Sequence, residues 1–340
     1  MVIMFLFVLL AIIPVCFELP AIVACVIYLA VGMSLLVKGA DLFVDGASSI
    51  AKALKIPSLI IGLTLVSMGT SAPEASVSIN SAINHMPDMS IGNVVGSNVF
   101  NTLFILGISA LIVPLLISDE MKKYDIPIMM GLYAVMLLLC FVITPNRLDL
   151  VESIVMLALF AAYMVFLFMR AKKDKTQNAE LLKEEEEKRL PVWQAVLYSA
   201  LGLAGIVFGG DLVVDKASEM AITLGMSESL VALTIVAVGT SLPELVTSVV
   251  ASLKKEDDIA VGNVIGSNIF NIVFILGLSS TIQNLVITNP VASLVDMLVM
   301  LVSGLAILGV SFMGKRMKKW QGAIMLLAYV AYLAYIIIRN

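Results

Sequence analysis

Two carboxylates set the chemistry open to this chain, and each sits where a charge is costly. Glu74 closes the string Gly69-Thr70-Ser71-Ala72-Pro73-Glu74, and Glu244 closes Gly239-Thr240-Ser241-Leu242-Pro243-Glu244. Both strings lie inside apolar runs long enough to cross a bilayer. An acidic side chain at the centre of an inserting helix costs about 2.5–3.5 kcal/mol even on the more lenient scale. Ser71-Ala72-Pro73-Glu74 also has the form of a helix start, with a Ser cap, Pro in the first turn and Glu at the third position. A cap contributes about 1 kcal/mol. That is too little to offset the charge, and the same cost recurs at Glu244. Neither run contains a Lys or Arg, so a mobile cation is the natural partner.

Neighbouring residues supply more oxygen. Ser71, Glu74 and Ser78 stand at i, i+3 and i+7 and share one helical face; Ser241, Glu244 and Ser248 repeat the pattern. Eighteen residues beyond each Glu comes a second matched block, Gly92-Asn93-Val94-Val95-Gly96-Ser97-Asn98-Val99-Phe100-Asn101 and Gly262-Asn263-Val264-Ile265-Gly266-Ser267-Asn268-Ile269-Phe270-Asn271. It adds Ser97 with Asn101, and Ser267 with Asn271, each pair at i, i+4. A helix broken at Gly-Thr-Ser-x-Pro also frees carbonyls, expected around 67–70 and 237–240, and therefore those of Ser67 and Ala237. Irregular backbone at that depth survives only where it lines a cavity or is buried in protein. Carboxylates, carboxamides, hydroxyls and carbonyls form a hard-oxygen set suited to Ca²⁺, which takes 6–8 oxygens, or to Na⁺. No His or Cys stands among them for a softer metal.

The two copies keep a constant offset of 170 residues, and 15 of 33 positions are identical between 69–101 and 239–271. An internal duplication is the economical reading. Gly92-x-x-x-Gly96 and Gly262-x-x-x-Gly266 have the form of a close-packing motif. The matched pairs Asp41/Asp211 and Asp45/Asp215 lie near helix ends and are expected to be solvated rather than ligands. Asp88/Asp258 read as solvated loop residues, and Asn93/Asn263 and Asn98/Asn268 as interhelical hydrogen-bonders.

Positioning these groups takes a membrane scaffold. The 340 residues are 60% hydrophobic and only 14% charged, with mean hydropathy +1.05, whereas soluble domains carry about 25% charged residues. Apolar runs near 20 residues recur throughout, which marks an all-α polytopic membrane protein and excludes the alternating pattern of a β-barrel. Ten core helices are expected near 21–50, 58–84, 90–113, 124–143, 149–170, 191–219, 228–253, 259–284, 291–313 and 319–338. Residues 1–20 form an extra apolar N-terminal segment without the basic start of a signal peptide. Between the halves 21–170 and 191–340, residues 171–190 form a charged loop. Cys16, Cys25 and Cys140 lie in apolar segments without metal-type spacing and read as reduced structural thiols. If 171–190 is cytoplasmic, most Lys and Arg fall inside, at 52/55, 122/123, 170–189, 254/255 and 315–319. Outside are Arg147, Lys216 and Arg339, as the positive-inside rule requires. The copies are then five spans apart, an odd number, so equivalent helices cross in opposite senses. Two inverted five-helix repeats meeting at the midplane are the architecture of many secondary transporters.

These blocks resemble the α-repeats of the cation/Ca²⁺ exchanger superfamily, in its prokaryotic sodium/calcium exchanger-like branch, over nearly the whole chain after residue 20. The resemblance implies a cell (inner) membrane antiporter that exchanges Na⁺ for Ca²⁺ by alternating access. It implies no cofactor, nucleic acid or obligatory protein partner, only the ions and the lipid bilayer. It assigns the ion sites to Glu74 and Glu244 with Thr70, Ser71, Ser97 and Asn101, with Thr240, Ser241, Ser267 and Asn271, and with the carbonyls of Ser67 and Ala237. It also implies that the helices at 21–50 and 191–219 slide over a fixed core. Asn271 is Asp in potassium-dependent relatives, so Asn here argues against K⁺ coupling. Gly96 and Gly266 stand where the proton/calcium branch has Glu, which lowers the case for Ca²⁺/H⁺ exchange; that coupling, or exchange of another divalent cation, is the alternative within the exchanger class. A primary pump lacks its phosphate-binding loop in this sequence. An intramembrane hydrolase using Ser71 or Ser241 lacks a base, because the only His, His85, lies in a loop. A passive channel remains open on sequence grounds, since oxygen-lined sites also serve conduction.

Overall fold

The structure, a computed structural model, describes residues 20–177, 190–226, 235 and 237–339. Expectations for 1–19, for most of the 171–190 loop and for the start of the helix near 228 lie outside the described residues. The long apolar runs form α1 (Ala21–Leu54), α4 (Pro87–Ile112), α5 (Met121–Ile143), α6 (Leu150–Gln177), α7 (Val192–Thr223), α10 (Asp257–Ile282), α11 (Pro290–Phe312) and α12 (Lys319–Arg339). These eight helices are long and apolar enough to cross a membrane. The runs that carry the two Glu residues are instead broken. The first gives α2 (Ser58–Thr70) and α3 (Ala72–Ile83), and the second gives α8 (Ala237–Gly239) and α9 (Leu242–Leu253).

Burial sorts the helices into centre and shell. In the most apolar stretch of α10, 94% of residues are buried, and in α4 72%, against 28% for α1, α6, α7, α11 and α12. The apolar surface left on the shell helices suits lipid, and α4 and α10 form the centre. Two short antiparallel ladders tie the connections: β1 (Leu115–Leu116) with β4 (Arg316–Met317), and β2 (Arg147–Leu148) with β3 (Leu285–Val286). Because the 23-residue α5 runs between β1 and β2, the ladders lie at opposite ends of the molecule, about 34 Å apart at 1.5 Å per residue.

At the β1/β4 end, Arg170 of α6 is buried and donates from one amino group to both carboxylate oxygens of Asp125, at 3.0 and 2.9 Å. Its other amino group is bonded to Glu120. Asp258 lies in this neighbourhood. It is part-buried in the first turn of α10, with one carboxylate oxygen buried and unpaired, and so is not the solvated loop residue expected from sequence. Asp88 likewise opens a helix, α4, where it is bonded to Thr288 at the β2/β3 end.

α1 and α7 pack backbone to backbone. A Cβ on Gly39 would lie 2.7 Å from the Ile206 nitrogen, and one on Gly202 only 2.5 Å from the Phe43 nitrogen. Side chains at those positions would force the helices apart, so the small residues let the two run as one unit. Cys25 and Cys140 are buried free thiols.

Candidate cation site

Each broken run ends its first piece at a Ser with non-helical backbone, φ −81° and ψ 9° at Ser71, φ −92° and ψ 8° at Ser241. Pro follows within the first turn of α3 and of α9, where its missing N–H is harmless. Glu74 and Glu244 therefore stand in first helical turns, where unpaired backbone N–H groups favour negative charge. The helix break expected from sequence is present, but the capping box is not. Neither Ser caps its own helix. Instead Ser71 Oγ donates to Glu244 Oε1 at 2.8 Å, and Ser241 Oγ donates to Glu74 Oε1 at 2.8 Å. Each hydroxyl has been redirected to the carboxylate of the other copy, which brings two strings 170 residues apart into one cluster.

The second blocks close the cluster from α4 and α10. Ser241 Oγ also meets Ser97 Oγ at 3.2 Å, and Ser267 Oγ lies 3.5 Å from Glu244 Oε1. Asn93 Nδ2 donates to the Glu74 carbonyl (3.1 Å) and to Ser78 Oγ (2.8 Å); Asn263 does the same to Glu244 (3.3 Å) and Ser248 (2.9 Å). Asn101 and Asn271 occur in wide π-helical turns, Phe100–Ile105 and Asn271–Leu276, a local geometry often found at functional positions. Their amides are oriented crosswise. Asn271 Nδ2 donates to Asn98 Oδ1 at 3.0 Å, and Asn101 Nδ2 to Asn268 Oδ1 at 3.2 Å. With the nitrogens so engaged, the amide oxygens are left free. Asn98 and Asn268 are thus the interhelical hydrogen-bonders expected from sequence, and through these bonds they orient the candidate ligands.

At the cluster, four buried carboxylate and amide oxygens then stand without a hydrogen-bond partner: Glu74 Oε2, Glu244 Oε2, Asn101 Oδ1 and Asn271 Oδ1. They are two equivalent pairs at the 170 offset, and all four residues are fully buried. A buried acceptor left unpaired costs about 1–3 kcal/mol, and more when charged. Native interiors therefore contain few of them. No Lys or Arg pairs with either Glu among the described residues. Unpaired acceptor oxygens, two of them from carboxyl groups, form a donor set suited to a cation.

Other candidate residues play different parts. The Ser67 carbonyl is not free: it accepts from the Ser71 N–H at 3.0 Å, with the hydroxyls of Thr70 and Ser267 at 3.3 and 3.4 Å. Thr70 Oγ1 donates to Asn263 Oδ1 at 3.0 Å, whereas its equivalent Thr240 has a buried hydroxyl without a partner. Ala237 is the first described residue of α8, next to the cluster in sequence. A Cβ on Gly266 would lie 2.6 Å from Ser67 Oγ and 2.8 Å from Leu63 Cα, so α10 closes on α2 as a packing motif should. Most of the segment equivalent to α2 lies outside the described residues, and no described atom lies within 4 Å of a Cβ built at Gly92 or Gly96. There a cavity of about 490 Å³ has Gly96, Ser97 and Thr240 in its lining, together with Asp88, Asp296 and Arg339 of the β2/β3 end.

A polytopic helical bundle with unpaired carboxyl and amide oxygens buried at its centre is the build of a membrane carrier for hard cations. The chain belongs to the sodium/calcium exchanger protein family, whose model matches residues 24–169 and again 194–338. It is 40% identical to CaxA of Alkalimonas amylolytica, over 90% of this chain and 96% of that one. It is 33% identical to the sodium/calcium exchanger MaX1 of Methanosarcina acetivorans over the same shares. The solved structure of the sodium-calcium exchanger NCX_Mj, soaked without Na⁺ and Ca²⁺, superposes with a TM-score of 0.79 at 30% identity, covering 93% of this chain and 99% of that one. The family is one of exchangers rather than enzymes, and membership carries with it cation/Ca²⁺ exchange across a membrane.

Proposed function

We propose that this protein is a secondary antiporter exchanging Na⁺ for Ca²⁺ by alternating access, with Glu74, Glu244, Asn101 and Asn271 as the central ligands. Ser71, Ser241, Ser97 and Ser267 complete the cluster, Thr70 and Thr240 flank it, and the backbone at Ser67 and Ala237 borders it. Supporting this reading above all are the four unpaired acceptor oxygens, arranged as two equivalent pairs. Two carboxylates balance one Ca²⁺ or two Na⁺, so the ions compete for one cluster, and competition for one site is what obligatory exchange requires. On this reading 21–170 and 191–340 are inverted five-helix halves in the cell membrane, and the 171–190 loop is cytoplasmic. The cavity beside Gly96 then opens outward, while α10 closes on α2 toward the inside. The α1/α7 unit is the part that slides between the two arrangements, and no cofactor takes part.

Glu74→Gln and Glu244→Gln test the site. Each puts an amide donor among acceptors and removes half the neutralising charge. Each should abolish Ca²⁺ uptake into Na⁺-loaded proteoliposomes; full transport by either variant would remove the assignment. Imposing Na⁺, H⁺ and K⁺ gradients one at a time on the unmodified protein tests the coupling. Uptake driven by H⁺ and not by Na⁺ would replace Na⁺ as the partner ion. Downhill Ca²⁺ flux that needs no counter-ion would mean a channel.

A further inference from the structure

Among the described residues, contacts that hold the α1/α7 unit at one end of the molecule have no counterpart at the other. Lys254, just past α9, donates to the Asp41 carbonyl at 2.8 Å and to Asp45 Oδ1 at 2.6 Å, and stands 2.7 Å from Asp41 Oδ1. One turn further along α1, Ser48 Oγ donates to Glu256 Oε1 at 2.7 Å. Behind these rungs α1 packs along α9.

At the 170 offset α7 keeps all three groups, as Asp211, Asp215 and Ser218, but the loop after α3 has Asn84 and Met86 in place of Lys254 and Glu256. Asp211 and Asp215 are exposed, and the buried Ser218 hydroxyl has no partner. Among the described residues α7 makes no comparable packing along α3. The two loops turn alike, with His85 and Lys255 both left-handed at φ 58° and 63°. The difference therefore lies in side chains and in where the α1/α7 unit rests.

We infer that Lys254, backed by Glu256, is a positioning residue that latches the α1/α7 unit and biases the exchanger toward the arrangement whose cavity opens at the Asp88–Arg339 end. The inference rests on the alternating-access reading. A two-state equilibrium moves only through contacts that differ between its states. A duplicated chain with identical ends would hold its two arrangements nearly level, and a cation clamp at one end tips them. The clamp is part-exposed, with Lys254 25% and the carboxylates 40% and 50% accessible. Each such contact supports a shift of roughly two- to five-fold.

Side-specific labelling tests this. In full-length protein with Cys16, Cys25 and Cys140 replaced by Ser, Ser293→Cys in the cavity lining is exposed to a membrane-impermeant maleimide in liposomes. Lys254→Asn should slow labelling about two- to five-fold, and Lys254→Arg should not. Asn84→Lys, which gives Asp211 and Asp215 a cation, should slow labelling as well, and the two changes together should slow it most. Asp45→Asn repeats the Lys254→Asn effect without touching the loop. Unchanged labelling in Lys254→Asn and Asp45→Asn overturns the latch, and so does slowing in Lys254→Asn alone with none in Asn84→Lys. Labelling requires no transported ion, so the order of rates stands or falls apart from which ion is coupled to Ca²⁺.

Discussion

Replacing Asn98 by Leu isolates the orienting layer of the proposed cation site. Asn271 can offer its amide oxygen to the centre because its nitrogen is held by Asn98 Oδ1 at 3.0 Å. Leucine nearly preserves side-chain volume and removes that acceptor. Asn271 Nδ2 must then stay buried without a partner, at about 1–3 kcal/mol, or rotate and turn a donor toward the ion. Either outcome weakens one cation–oxygen contact and leaves Glu74 and Glu244 in place. Loss of a group that orients a metal ligand typically costs 10–100-fold in affinity. The Ca²⁺ concentration for half-maximal uptake in proteoliposomes should therefore rise by about that factor, while the maximal rate stays near wild type. Asn268→Leu should do the same through Asn101, because the bond is mirrored at 3.2 Å. Calorimetric Ca²⁺ titration checks the affinity apart from flux. A half-saturating concentration within two-fold of wild type, in a variant of unchanged thermal stability, would show that the crosswise amides do not hold Asn101 and Asn271 as ligands.

Arg170→Met should strand the fully buried Asp125 carboxylate and destabilise the folded protein by about 3–5 kcal/mol. Thermal unfolding in detergent reads the loss, and the double change Arg170→Met with Asp125→Leu should recover most of it. Gly202→Leu should prise α7 from α1, because its Cβ would sit 2.5 Å from the Phe43 nitrogen. Loss of the monodisperse peak on size exclusion is expected, whereas Gly131→Leu, with no described atom within 4 Å of its Cβ, should leave the peak intact.

The parts of this site that were legible in the sequence are those that local chemistry makes costly. A Glu inside an apolar run, repeated 170 residues later beside the same Ser and Asn, has few inexpensive explanations, and the break at Ser-x-Pro follows from backbone geometry alone. The parts that were not legible depend on a partner chosen by tertiary structure. Ser71-Ala72-Pro73-Glu74 reads as a capping box because a box is a local motif, and nothing local says that Glu244 will outbid the Ser71 helix for its hydroxyl. Asn98 reads as a hydrogen-bonder and Asn101 as a candidate ligand, but only the crosswise bonds to Asn271 and Asn268 show that each hydrogen-bonder orients the ligand candidate of the other copy. Gly262 and Gly266 close on α2, a partner that tertiary packing chooses and the Gly-x-x-x-Gly spacing alone does not name. A duplicated sequence states what its halves share, and a carrier works through the ways in which they differ at any instant. The exchange of Asn84 for Lys254 was in plain view at the 170 offset, but it acquired a physical meaning only once Asp41 and Asp45 were found beside the lysine and Asp211 and Asp215 were found exposed.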